Sequence, residues 1–109
     1  MKLLLDECLP VDFRHSLPEH EAHTAEWAGL KGLKNGELFR SAQEAGYQVL
    51  LTVDQNIPHQ QPNEGRTISI LMFRSPSNRL EDLIPLTNSV LKALKTIAPG
   101  QTISVPQPQ

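Results

Sequence analysis

The sequence predicts an α/β fold, a three-layer α/β/α sandwich on a mostly parallel central sheet, and three observations carry that prediction. Short apolar runs alternate with stretches of helical period. The runs are continuous rather than alternating polar with apolar, as strands buried on both faces require. Two of them, Leu3-Leu4-Leu5 and Val49-Leu50-Leu51-Thr52-Val53, stop at acidic residues, Asp6-Glu7 and Asp54. In parallel strands those carboxylates meet at one sheet edge, outside the carboxyl ends of the strands, where open α/β sheets bind ligands.

Each element follows from local chemistry. Lys2 to Leu5 reads as the first strand. Pro10 suits the first turn of a short helical segment carrying Val11, Phe13, His15 and Leu17, which ends before Pro18. Glu21 to Ala25 is a second, weaker strand. Ala28 to Gly36, with three glycines and two lysines, reads as a loop. Leu38, Phe39, Ala42 and Ala45 fall at helical spacing before Gly46, so Asn35 to Ala45 is expected to be a helix with Glu37 in its first turn. Gln48 to Val53 is the third strand and Thr67 to Phe73 the fourth, separated by a polar surface loop from Gln55 to Arg66. Asn78 and Glu81 fit a capping box, and Pro85 starts a further helical piece whose Leu86, Val90, Leu91, Leu94 and Ile97 face the core. Pro99-Gly100 ends it, and Thr102 to Val105 adds an edge strand.

Length and composition bound the function. At 109 residues the chain is one domain, residues 1–105, with a short polar and proline-rich tail at 106–109. Apolar residues make up 39% and charged residues 20% of it, an ordinary globular balance. The apolar runs are too short for a membrane span or a secretory signal, so a cytoplasmic protein is expected. A single cysteine, Cys8, excludes an internal disulfide and a cysteine zinc site. A net charge of −2 argues against a dedicated duplex-DNA binder, which carries a basic face.

Three stretches carry a family resemblance: Met1-Lys2-Leu3-Leu4-Leu5-Asp6-Glu7-Cys8-Leu9-Pro10, Gly32-Leu33-Lys34-Asn35-Gly36-Glu37-Leu38 and Leu51-Thr52-Val53-Asp54-Gln55-Asn56. Together they resemble the PIN-like domain family of small bacterial proteins, distant relatives of the VapC-type toxin ribonucleases. Ser77 to Leu86 is similar to a subgroup of that family, and the likeness covers nearly the whole chain. It implies an acidic cluster that binds Mg²⁺ or Mn²⁺ and hydrolyses RNA phosphodiesters. Asp6, Glu37 and Asp54 match the family's acidic positions and are the implied catalytic and metal-binding residues. Asn56 falls where many relatives hold a further Asp and joins the implied ligand set. Asn35 also stands where many have Asp, and Cys8 where an Asn is common. Glu7 and Asn35 are auxiliary candidates. Fewer carboxylates imply a weaker second metal site.

The chemistry asks for these residue types independently of the family. Mg²⁺ takes oxygen ligands and keeps several waters, so two or three carboxylates and a substrate phosphate suffice. The ion lowers the pKa of a water and neutralises charge on the phosphoryl oxygens, which removes the need for a His or Ser nucleophile. Each acid alone also has a plainer reading: Asp6 as a helix cap, Glu37 as a first-turn acid favoured by the helix dipole, and Asp54 with Asn56 and Pro58 as a turn. Their joint occurrence carries the functional case.

The remaining residues divide between chemistry and packing. Lys31, Lys34 and Arg40, with Arg14, are candidate contacts for RNA phosphates. His20 and His23 fall on opposite faces of a strand and read as surface residues. Cys8 beside two acids lacks the electropositive surroundings of a reactive thiolate and reads as packing. Trp27, the sole tryptophan, reads as a core anchor rather than a base-stacking platform. Gln60 and Gln61 lie in the loop after Asp54. An alternative is a receiver-like phosphorylation switch at Asp54, since receiver domains also place an acidic pair after the first strand and an Asp after the third. Against it, a receiver needs a Lys after its fifth strand, where this chain has proline and glutamine. A catalytically weak PIN-like metal-binding or regulatory protein is a further alternative, kept by Asn35 and Asn56. The expected partners are an RNA substrate, a neutralising antitoxin protein and, as a candidate, a second copy of the chain.

Overall fold

The structure is a computed structural model that describes residues 1–33, 35–54 and 66–106, with Asn35 seen through its backbone alone. Five strands form one wholly parallel sheet: β1 (Lys2–Leu5), β2 (Glu21–Thr24), β3 (Val49–Thr52), β4 (Ser69–Phe73) and β5 (Thr102–Val105), in the spatial order β2-β1-β3-β4-β5. Register runs straight across it, with Leu5 opposite Thr24 on one side and Leu51 on the other, and Leu51 opposite Leu71. The strand order reverses between β1 and β3.

Period-two alternation divides each strand between two cores. Leu3, Leu5, Val49, Leu51, Leu71 and Phe73 point to one face, while Leu4, Leu50 and Ile70 point to the other. The first face is covered by a 3₁₀ helix (Val11–Ser16), by α2 (Leu80–Leu83), and by α3 (Thr87–Thr96), which follows a short 3₁₀ turn at Ile84–Leu86. Phe13 meets Phe73 edge-on there, with ring centroids 5.3 Å apart. The second face is covered by α1 (Asn35–Glu44) through Leu38, Phe39 and Ala42. Helices therefore lie on both sides of the sheet, the expected three-layer α/β arrangement.

The connections carry one departure from ordinary winding. The β1→β2 connection steps toward one sheet edge and β4→β5 toward the other, yet both run over the same face. The hand of a crossover is set by its direction of step and the face it uses, so these two have opposite hands; right-handed is by far the commoner. A single 3₁₀ helix of six residues leaves most of that face open, and α2 and α3 cover it.

Several element ends match sequence chemistry. The chain leaves α1 through Gly46 at φ 90°, whose N–H donates to Gln43 O, while Tyr47 N–H donates to Ala42 O. That bond pair is the Schellman stop expected at this glycine. Gly100, at φ 74°, sits so close to Arg66 that an added Cβ would lie 2.7 Å from its carbonyl oxygen. The expected capping box does not form: Arg79 is the N-cap of α2, and no side chain caps it. Asn78 Nδ2 instead donates to Cys8 O at 2.6 Å, tying the turn after β1 to the start of α2, and Glu81 pairs with Arg79. Asn78 is claimed by a long-range carbonyl, which outcompetes a local cap. The expected helix after Pro10 is of 3₁₀ type; of the loop expected from Gln55 to Arg66, residues 55–65 lie outside the described residues, as do tail residues 107–109.

No helix among the described residues is long and apolar enough to cross a membrane. Leu50 is fully buried at the centre of the α1 side, so Leu50→Ala should cost about 2–5 kcal/mol. Ile84→Ala, at a residue 49% exposed, should change stability by less than about 0.5 kcal/mol. Urea unfolding followed by far-ultraviolet circular dichroism measures both.

Candidate functional site

The ends of β1 and β3 are joined by a buried hydroxyl. Asp6 extends the β1/β3 ladder by one residue, its N–H donating to Leu51 O at 2.9 Å, so the sheet itself fixes its Cα. Its Oδ2 accepts the Thr52 hydroxyl at 2.7 Å and the Cys8 thiol at 3.4 Å, and its Oδ1 accepts the Glu7 N–H at 2.9 Å. Thr52, the last residue of β3, is fully buried. Its Oγ1 also accepts the Asp54 N–H at 3.0 Å. One hydroxyl thus spends its single proton on Asp6 and a lone pair on the backbone of Asp54. The two strand-end acids are linked through Thr52, a residue that the sequence reading assigned no role. Its signal was a lone hydroxyl within a buried strand, immediately before the acidic turn.

Burial raises the Cys8 thiol above its ordinary range, and the nearby Asp6 charge pushes the same way; hydrogen bonds to the Val53 backbone and Thr52 work against them. The thiol therefore stays protonated at neutral pH and acts as a donor to Asp6. Its side chain packs at the margin of the core shared by Leu9 and Phe13.

The other expected residues are spread more widely. Glu37 is exposed in the first turn of α1, and Arg40 is exposed on the same helix. Lys34, Asn56, Gln60, Gln61 and the side chain of Asn35 lie outside the described residues. Among the described residues no group of three or more His, Cys, Asp or Glu side chains is arranged to hold a metal ion. Asp6 and the backbone of Asp54 are joined through Thr52 at the strand-order reversal, while Glu37 sits in the first turn of α1. The donor chemistry still suits a hard cation. Two carboxylate oxygens offer about four lone-pair sites, and three donors occupy those of Asp6, leaving one available.

Beside Asp6, a cavity of about 760 Å³ opens toward β2, lined by Asp6, Glu7, Arg14, His23, Trp27 and Lys31 among others. Glu7 holds its rim, since its Oε2 accepts the Gly32 N–H at 3.1 Å. Lys31 lies 4.0 Å from Glu26 with both side chains largely exposed, a pairing worth little in water. Arg14 and Lys31, two of the expected phosphate contacts, line this cavity together with Asp6.

Trp27 corrects the sequence reading: it is 71% exposed on this cavity and is not a core anchor. The turn after β2 turns Ala25 inward, at 2% exposure, and Trp27 outward, with the Trp27 N–H donating to Thr24 Oγ1 at 3.0 Å. His23 is half-buried rather than a free surface residue, pairing through Nδ1 with the Tyr47 hydroxyl at 2.9 Å and lying against the Trp27 ring at a centroid distance of 3.9 Å. His20 contacts the chain's amino group; burial, and then that positive charge, lower its pKa.

No family model, curated protein or solved structure matches this chain.

Thr52→Val leaves Asp6 without its shortest donor and the Asp54 N–H without its acceptor. It should lower stability by about 1–3 kcal/mol, whereas Thr52→Ser should cost about 1 kcal/mol or less. Urea midpoints at constant m decide. A raised thiol pKa means less thiolate at any given pH, so Cys8 alkylation by iodoacetamide should accelerate only at pH above the range of a free cysteine peptide.

Proposed function

We propose that this chain is a PIN-like, metal-dependent endoribonuclease acting in the cytoplasm, the toxin half of a toxin and antitoxin pair. One observation carries the reading: Asp6 and Asp54 end adjacent parallel strands where the strand order reverses, and the Thr52 hydroxyl joins them. In open α/β sheets that reversal is the ligand site. Asp6 and Asp54 would hold Mg²⁺ or Mn²⁺, with Glu37 and Asn56 completing the set. When bound, such an ion polarises a phosphodiester and neutralises the charge that builds on it during hydrolysis. The chain's own part is positional. Thr52 and the Glu7 N–H orient the Asp6 carboxylate, and the same Thr52 hydroxyl holds the Asp54 N–H. Arg14 and Lys31 offer cations to the RNA backbone on the cavity side.

The receiver-like switch has one observation in its favour, since β2-β1-β3-β4-β5 is also the strand order of flavodoxin-like receivers. The winding weakens it. With every crossover of one hand, the β4→β5 helix would share α1's face, whereas α3 lies on the opposite one. Pro106 also follows β5 where a receiver requires Lys.

Incubation with single-stranded RNA and Mn²⁺ tests the proposal. The wild-type chain should cleave, and Asp6→Asn and Asp54→Asn should each slow cleavage by about a hundredfold or more, because outer-shell changes alone cost 10–100-fold. Equal cleavage by all three proteins, or none by any, overturns it. A hydroxylamine-labile phosphoryl group on Asp54 after treatment with acetyl phosphate supports the receiver instead.

A further inference from the structure

The cavity beside Asp6 contains more than the proposed hydrolysis needs. Trp27 presents an open aromatic face while its other surroundings hold it still. His23 lies against the ring at 3.9 Å, His23 is tied to the Tyr47 hydroxyl at 2.9 Å, and Tyr47 is buried and edge-on to His23 at 5.8 Å. The backbone beneath is equally fixed, with Trp27 N–H on Thr24 Oγ1 and Ala28 N–H on Thr24 O. An indole 71% exposed on a supported stack offers a flat apolar face on which a second ring can lie. The cavity's other walls combine apolar Leu9, Val11 and Ala22 with the cations of Arg14 and Lys31 and the carboxylates of Asp6, Glu7 and Glu26, the last 4.0 Å from Lys31. A flat ring between apolar walls, with a cation nearby for an anion attached to it, describes a nucleotide.

We propose that Trp27, backed by His23 and Tyr47, is the stacking platform for an unpaired base of single-stranded RNA bound in the cavity next to Asp6. The inference deepens the ribonuclease reading and rests on it for the choice of RNA as ligand. Geometry supplies the link between the two: Asp6 both lines the cavity and belongs to the Thr52 junction, so a base seated on Trp27 brings its neighbouring phosphate toward the strand-end acids. Arg14 and Lys31 would take phosphates on the same strand. Stacking on an aromatic face tolerates every base, so the platform favours single strands over duplex without demanding a sequence.

Trp27 is the sole tryptophan, so its emission reports on this face alone. The experiment titrates the full chain, with Ca²⁺ in place of Mn²⁺, with a fluorescein-labelled single-stranded hexaribonucleotide and its duplex form, reading label anisotropy; an unlabelled copy is used to read Trp27 emission. The single strand should quench Trp27 strongly and the duplex little. Trp27→Ala should weaken single-strand binding about tenfold and Trp27→Phe by less than about threefold, with thermal unfolding unchanged in both. Binding without quenching, or equal affinity of Trp27→Ala and wild type, overturns the platform. So does a chain that runs as a dimer with Trp27 emission already that of a buried indole, which assigns the face to a second copy. Cleavage assayed in Mn²⁺ on the same preparations separates the two ideas. Cleavage without quenching removes the platform and leaves the nuclease, whereas quenching without cleavage keeps an RNA-base site and removes the nuclease.

Discussion

Burying a parallel sheet on both faces is the constraint on which the rest of this structure depends. β1, β3 and β4 each send side chains into two separate cores, so almost every position within them is apolar. Polar chemistry is then confined to the strand ends. Thr52 and Ser69 are the buried polar exceptions among the described residues; Ser69 sits at the start of β4 and donates to Ala98 O, and Thr52 at the end of β3. The acids fall just beyond where the strands stop, and the pairing of β1 with β3 sets the ends of those two strands next to each other.

The Thr52 hydroxyl ties the Asp6 carboxylate to the backbone of Asp54. Asp6 is half-buried, and its carboxylate offsets the water it loses by collecting the Thr52 hydroxyl, the Glu7 N–H and the Cys8 thiol. Each donor comes from its own turn or from β3, so the carboxylate's direction is set by the β1/β3 pairing and not by a flexible loop. Asn78 reinforces it from the far side by holding the Cys8 carbonyl. On the open side lies the cavity with Trp27 and its two cations. The carboxylate that Thr52 orients is therefore also part of the cavity wall.

Legibility in the sequence followed the strength of the local signal. Strands with continuous apolar runs were readable because both faces select the same residue types, and Gly46 was readable because only a left-handed residue fits the stop after α1. Asp6 and Asp54 were visible as acids breaking apolar runs. Thr52 was hidden inside such a run, since a β-branched residue is ordinary in a strand and the acceptor of its proton lies 46 positions away. Trp27 misled because composition favours burying an indole, while the outward turn after β2 depends on Ala25 taking the inward position. Asn78 satisfied a local capping pattern but served a carbonyl distant in sequence. The face chosen by α3, and with it the hand of the β4→β5 crossover, depends on how much of the sheet the 3₁₀ helix leaves bare, which no local pattern records.

The central claim is that the ends of β1 and β3 form one hard-cation site. Substoichiometric Mn²⁺ added to the isotopically labelled chain tests it directly through paramagnetic broadening of amide resonances. The account predicts that the resonances of Asp6, Glu7 and Asp54 broaden first, with excess Mg²⁺ reversing the effect and Asp6→Asn abolishing it. Broadening centred elsewhere on the molecule, or unchanged in Asp6→Asn, would contradict the account.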